Sequence, residues 1–199
     1  MRLFSKKRQN GKPGRAFRPS RTLGTLGLVI CAIALAGPAA AQGGSGGVGV
    51  GGSGGHASTV PGAKAKLRNG KAIAPASAPA RVKRAIAAAN RIAGKPYKYG
   101  GGHGSWKDSG YDCSGAVSYA LGKPGAKLLS APMPSTGFMK HGWGVGGQGK
   151  WITTYANSGH MYAMIAGLRF ESHTTGNGPG WSNEGPTKAG YVKRHAKSL

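Results

Sequence analysis

The sequence predicts an α+β domain in which N-terminal helices pack on a small antiparallel sheet. Two stretches with helical apolar spacing, 79–94 and 113–121, come first. Three short runs rich in aromatic and β-branched residues follow between 151 and 174, split by glycine-containing turns. Connections this short join antiparallel strands, because parallel strands need a crossover of a dozen residues or more.

The chain opens with a different chemistry. Eight basic residues and no acid lie within the first 21 positions, followed by the apolar run "LGTLGLVICAIALAG" (23–37) and then "AAA" (39–41). A positive segment, an apolar segment and small residues before Gln42 are the pattern of a cleaved secretory signal over 1–41. The apolar run is shorter than the roughly 20 residues that span a bilayer, so no stable membrane insertion is expected after cleavage. Residues 42–78 are Gly/Ser-rich, then Ala/Pro/Lys-rich, and are expected to be a flexible linker that buries no core. The folded domain is expected over 79–199, a single-domain size.

Within it, "ARVKRAIAAANRIAG" sets Val82, Ile86, Ala89 and Ala93 on one helical stripe, with Lys83, Arg84 and Arg91 off it. Pro79 near the first turn and Gly94 after the last mark its ends. "KPYKYGGGHGSWKDSGY" (95–111) reads as a glycine-rich loop. "CSGAVSYAL" (113–121) reads as a short helix with Ala116, Val117, Ala120 and Leu121 on one side. Residues 122–150 are expected to be mostly loop. "WITTYAN", "HMYAMIAG" and "LRFESHT" are the three strands, with one more expected near Tyr191.

Charge and cysteine usage bound the function. Without the signal, 20 basic residues face four acids, a formal charge of +16. Outside the cell such a field favours wall polymers and anionic lipid. No stacking motif or zinc-finger spacing supports nucleic-acid reading, so no nucleic-acid partner is expected. Cys31 leaves with the signal, and Cys113 remains as a lone thiol in an exported chain, where cysteines normally pair.

Cys113 falls where a helix begins, and the unsatisfied N–H groups there favour a thiolate. Asp112 is placed to cap that helix, and Gly115 is expected to let a substrate backbone come close. A thiol nucleophile needs an imidazole and a third polar group to orient it. His56 and His195 are expected in solvent and His103 and His141 on surface loops. His160 instead opens a strand directly after Gly159 and lies on the face opposite Met161, Ala163 and Ile165. His173 is the first choice for the group behind it, with Glu171 or Ser172 as alternatives, because a one-residue slip of register inverts the choice.

"GKPYKYGGGHGSWKDSGYDCSGAVSYAL" followed by "SGHMYAMIAG" resembles the NlpC-like cysteine peptidases, papain-fold hydrolases of the bacterial cell wall. The likeness covers about 95–175 and rests on the order "PYxYGG", "DCSG", "GH" rather than on any one of them. It implies a papain-like fold, Cys113 as nucleophile, His160 as general base and Tyr97 lining the oxyanion pocket. Asp112 and Ser114 are expected on the substrate and oxyanion side with it. It also implies a stem-peptide amide of peptidoglycan as substrate, often that between D-glutamate and the following diamino acid. The chain departs from the family pattern in "LRFES", which places a carboxylate where a histidine often stands. No metal or other cofactor is expected, since Cys113, His160 and His173 lack a close ligand pair. The expected partners are peptidoglycan and anionic wall polymers, the expected state a monomer. A non-catalytic cationic wall-binding protein and a wall amidase on the same fold are the alternative readings.

Overall fold

The computed structural model describes residues 58–173, 177–187 and 189–199. The expected signal (1–41) and most of the Gly/Ser stretch, with His56, lie outside them. Eleven elements follow in order: β1 (Lys66–Arg68), β2 (Lys71–Ile73), α1 (Ala80–Ile92), α2 (Cys113–Leu121), α3 (Ser135–Phe138), β3 (Val145–Gly146), β4 (Ile152–Ala156), β5 (Met161–Ile165), β6 (Leu168–Glu171), β7 (Gly180–Ser182) and β8 (Val192–His195). Six strands form one antiparallel sheet in the order β3-β8-β4-β5-β6-β7. Helices before an antiparallel sheet are the α+β order that the sequence predicts.

α1 forms as its spacing predicts, with Val82, Ile86 and Ala89 buried and Pro79 at its N-cap. Gly94 follows at φ +90°, a conformation that favours glycine. α2 buries Ala116, Val117, Ala120 and Leu121 completely, and Ser114, Gly115 and Ser118 as well. A helix enclosed on nearly every side holds its first residue in a fixed place.

The sheet has two unlike faces. Ile152, Met161, Ala163, Ile165, Leu168 and Phe170 belong to the core that contains α1 and α2. On the other face Tyr155 stacks on Tyr162 at 4.9 Å, and the Tyr162 hydroxyl donates to the Thr187 carbonyl at 2.6 Å. This covering explains why β4 is buried at every position, where a half-exposed strand would alternate.

Residues 59–78 differ from the flexible linker expected of them. β1 and β2 form a hairpin whose turn uses Asn69 and Gly70 at positive φ, the Asn-Gly pair favoured in such turns. Ala65, Ala72 and Ala78 enter the core. Asn90 of α1 supplies a side-chain substitute for a strand partner: its amide accepts from Ala72 N–H at 2.9 Å and donates to Ala72 C=O at 2.8 Å. Its Oδ1 also accepts from Trp181 Nε1 at 2.9 Å. Low local hydrophobicity hid the segment, because its buried residues are mostly alanines and it is held by contacts to α1, β7 and the Ala166 carbonyl. β3 and β7 were equally unmarked, being two and three residues long.

Candidate active site

Cys113 opens α2, and the approach to it is built on Asp112. The Asp112 carboxylate accepts from Gly115 N–H at 2.7 Å as the helix N-cap and from Gly100 N–H at 3.1 Å through its other oxygen. One side chain therefore fixes both the helix start and the glycine loop beside it. Ser114 Oγ donates to the same carboxylate at 3.2 Å. Gly115 has a different reason from the one expected: a Cβ there would fall on the Gly101 carbonyl oxygen. The missing side chain admits the chain's own loop rather than a substrate.

His103 is a correction. It is not a free surface histidine: its Nε2 lies 3.1 Å from Asp112 Oδ1 and 3.0 Å from Ser114 Oγ. A cleft contains Tyr97, His103, Cys113 and Ser114, with Ser135 from α3 and Ser158 from the turn before β5. The loop 122–150 thus contributes a wall, at Pro134–Thr136. Loop position gave His103 its surface reading; its only sequence signal is nearness to "DCSG".

His160 stands directly before β5. A tight turn sets its backbone, since Asn157 Oδ1 accepts from both Gly159 N–H and His160 N–H, at 3.0 and 2.8 Å. The imidazole Nε2 lies 3.2 Å from Glu171 Oε2. The pKa of His160 is pushed up to about 9, first by a side-chain hydrogen bond with Cys113 and then by the one with Glu171, while burial opposes both. Cys113 itself is half-buried and unpaired in any disulfide.

The position behind the imidazole is taken by Glu171, not by the first choice His173. Register is the reason. β5 and β6 pair Ala163 with Phe170 and Ile165 with Leu168, so Glu171 shares a face with His160, and continuing the pairing sets His173 opposite His160. The opposed rings pack edge to face, 5.1 Å apart, and the longer Glu171 side chain reaches the imidazole nitrogen diagonally. Ser172 lies on the other face, buried, with its hydroxyl 3.2 Å from His173 Nδ1. The ring atom bonded to Glu171 is Nε2.

Burial would raise the Glu171 carboxyl, but bonds from His160 and Arg169 outweigh it and hold the group below its ordinary range. Arg169 Nη2 donates to Glu171 Oε2 at 2.8 Å. Arg169 was not singled out in the sequence, although its two-residue spacing from Glu171 places both on one strand face. Tyr97 lies at the cleft edge, 40% exposed, and its ring centroid is 5.8 Å from that of His173. Partial burial, then the charges of Cys113 and Asp112, raise its phenol. Among the described residues no group of three or more His, Cys, Asp or Glu is placed to hold a metal ion, and no helix is long and apolar enough to cross a membrane.

No family model and no curated protein matches the chain. Solved structures do. The chain is similar to the peptidoglycan hydrolase RipB from Mycobacterium tuberculosis, at 23% identity and TM-score 0.45, over 58% of this chain and 64% of that one. It therefore spans just under two thirds of that protein's length. It is similar to the P60 domain of an antigen from M. avium subspecies paratuberculosis at 18% identity and TM-score 0.43, over 57% of this chain and 93% of that one. A mutant of the resuscitation promoting factor interacting protein RipA matches at 17% identity and TM-score 0.42, over 70% and 93%.

Proposed function

We propose that the chain is an exported cysteine endopeptidase that cleaves an amide bond in peptidoglycan stem peptides, the D-glutamyl–diamino acid link. The observation that carries this reading is the row of side chains Cys113, His160 and Glu171. A thiol at a helix start is electrostatically coupled to an imidazole, raising its pKa, and the imidazole Nε2 meets a buried carboxylate. The "DCSG" and "GH" motifs, the likeness in fold to a peptidoglycan hydrolase and the cationic composition support the substrate class.

In this mechanism Cys113 attacks the amide carbonyl as the thiolate, with its proton held by His160. The tetrahedral oxyanion is stabilised by the Cys113 N–H, which has no partner within its helix, and by Tyr97 at the cleft edge. His160 returns the proton to the leaving amine as the C–N bond breaks, giving an acyl-enzyme. Water, deprotonated by His160, then hydrolyses the thioester. Glu171 holds the imidazole in one orientation and stabilises its charged form. Asp112 and Ser114 are tied to the helix cap and hold the thiol in place. The leading segment 1–41 directs export, and the net positive charge retains the enzyme at anionic wall polymers.

The test is digestion of purified peptidoglycan with product analysis by mass spectrometry. Cys113→Ala is expected to lose muropeptide release by on the order of 10^4-fold or more while remaining folded and wall-bound. Full activity in that variant overturns the mechanism, and the mass of the new termini identifies the bond.

A further inference from the structure

Behind the imidazole, β6 places two opposite charges on one face, two residues apart. Arg169 is 9% exposed and Glu171 6%, so neither charge is hydrated as it would be in the unfolded chain. Burying such a pair is costly, and an apolar pair of similar volume would often serve packing as well. The arginine is nonetheless held at several points. Its guanidinium carbon lies 3.9 Å from the centroid of the Tyr162 ring. Nη1 donates to Thr187 Oγ1 at 3.3 Å and lies 3.7 Å from Glu184 Oε2 at the rim. Nη2 donates to Glu171 Oε2, the same oxygen that meets His160. Its Nε is buried with no hydrogen-bond partner among the described residues.

We propose that Arg169 is a positioning residue for the Cys113–His160 pair, clamping Glu171 as a fixed carboxylate aimed at the imidazole. The proposal rests on the reading of Glu171 as the third member. A neutral side chain in that position works at any pH, whereas a carboxylate supports an imidazolium only while ionised. Burial works against that ionised form, and Arg169 opposes the burial. Among the described residues, the other ionisable groups facing Glu171 do not replace it. His160 is its client, Tyr162 from β5 is a phenol pushed up to about 12 by burial, and His173 packs edge to face on the His160 ring. Glu184 is of like charge, and the residue opposite on β7 is Gly180.

The readout is the rate of Cys113 alkylation by iodoacetamide against pH, followed on the Cys113 peptide of the full chain by mass spectrometry. Arg169→Met is expected to move the acid limb of the profile up by about one pH unit and leave the plateau rate within about threefold, an opposite charge at this range being worth about 1–3 units. Arg169→Lys is expected to restore most of that displacement. In a Glu171→Gln background, Arg169→Met is expected to add no further displacement, because it acts only through Glu171. That double variant buries no unpaired charge and serves the comparison if Arg169→Met alone does not fold. A lowered plateau with an unmoved limb, or a further displacement in the Glu171→Gln background, overturns the proposal. A wild-type thiol no more reactive at low pH than a free cysteine overturns the Cys113–His160 reading itself, so the two failures are distinct.

Discussion

Replacing Asp112 by alanine tests whether the residue beside the thiol is a structural cap. The residue is 9% exposed; its carboxylate accepts from Gly115 N–H, Gly100 N–H and Ser114 Oγ at 2.7, 3.1 and 3.2 Å, and His103 Nε2 lies 3.1 Å from its Oδ1. Loss of the N-cap alone costs about 1 kcal/mol. Gly100 N–H loses a charged acceptor in a partly buried site, which adds about 1.5–3 kcal/mol. The Ser114 hydroxyl can turn to another acceptor and adds little. The expected loss is therefore about 3 kcal/mol, or a fall in Tm of about 6–12 °C for a domain of this size. Asp112→Asn keeps an oxygen for Gly115 but turns an N–H toward Gly100, so it is expected to lose about half to two thirds as much. Calorimetry and urea unfolding measure both variants. An Asp112→Ala protein with wild-type stability that loses only turnover would refute the assignment, and would make Asp112 a substrate ligand.

Two further outcomes follow from the same geometry. Asn90→Ala removes three hydrogen bonds joining α1, the β1–β2 hairpin and Trp181, and is expected to destabilise by about 2–4 kcal/mol; unchanged urea unfolding would return residues 59–78 to a loose linker. His160 has its folded pKa raised from 6.5 to about 9, so it contributes stability that is fully present below pH 6.5 and is lost as pH rises through about 9. Because the imidazole is only half-buried, solvent screening keeps the loss below the ~3 kcal/mol that a shift of this size corresponds to; it is read as the difference between wild type and His160→Gln in unfolding free energy from pH 6 to 10, and equal slopes for the two proteins would contradict it.

The chemistry of this chain lies close to the surface of its sequence. A cysteine at a helix start, an aspartate before it and a histidine opening a strand are local patterns, and each was legible because backbone period and capping depend on near neighbours. The α1 and α2 stripes and the strands β4 to β6 were legible for the same reason. What the sequence left open was decided by contacts between distant segments. The hairpin at 66–73 exists because Asn90 and the helix face around it complete it. His103 is drawn to Asp112 by the folding of a glycine-rich loop that has no period to read. The choice among Glu171, Ser172 and His173 needed the β5–β6 register, which pairing sets and composition does not. By itself the sequence put forward the candidate reacting groups; the tertiary structure decided that a carboxylate, bonded by Arg169, stands beside the His160 imidazole, because only across paired strands do a diagonal reach and a ring-to-ring contact become different things.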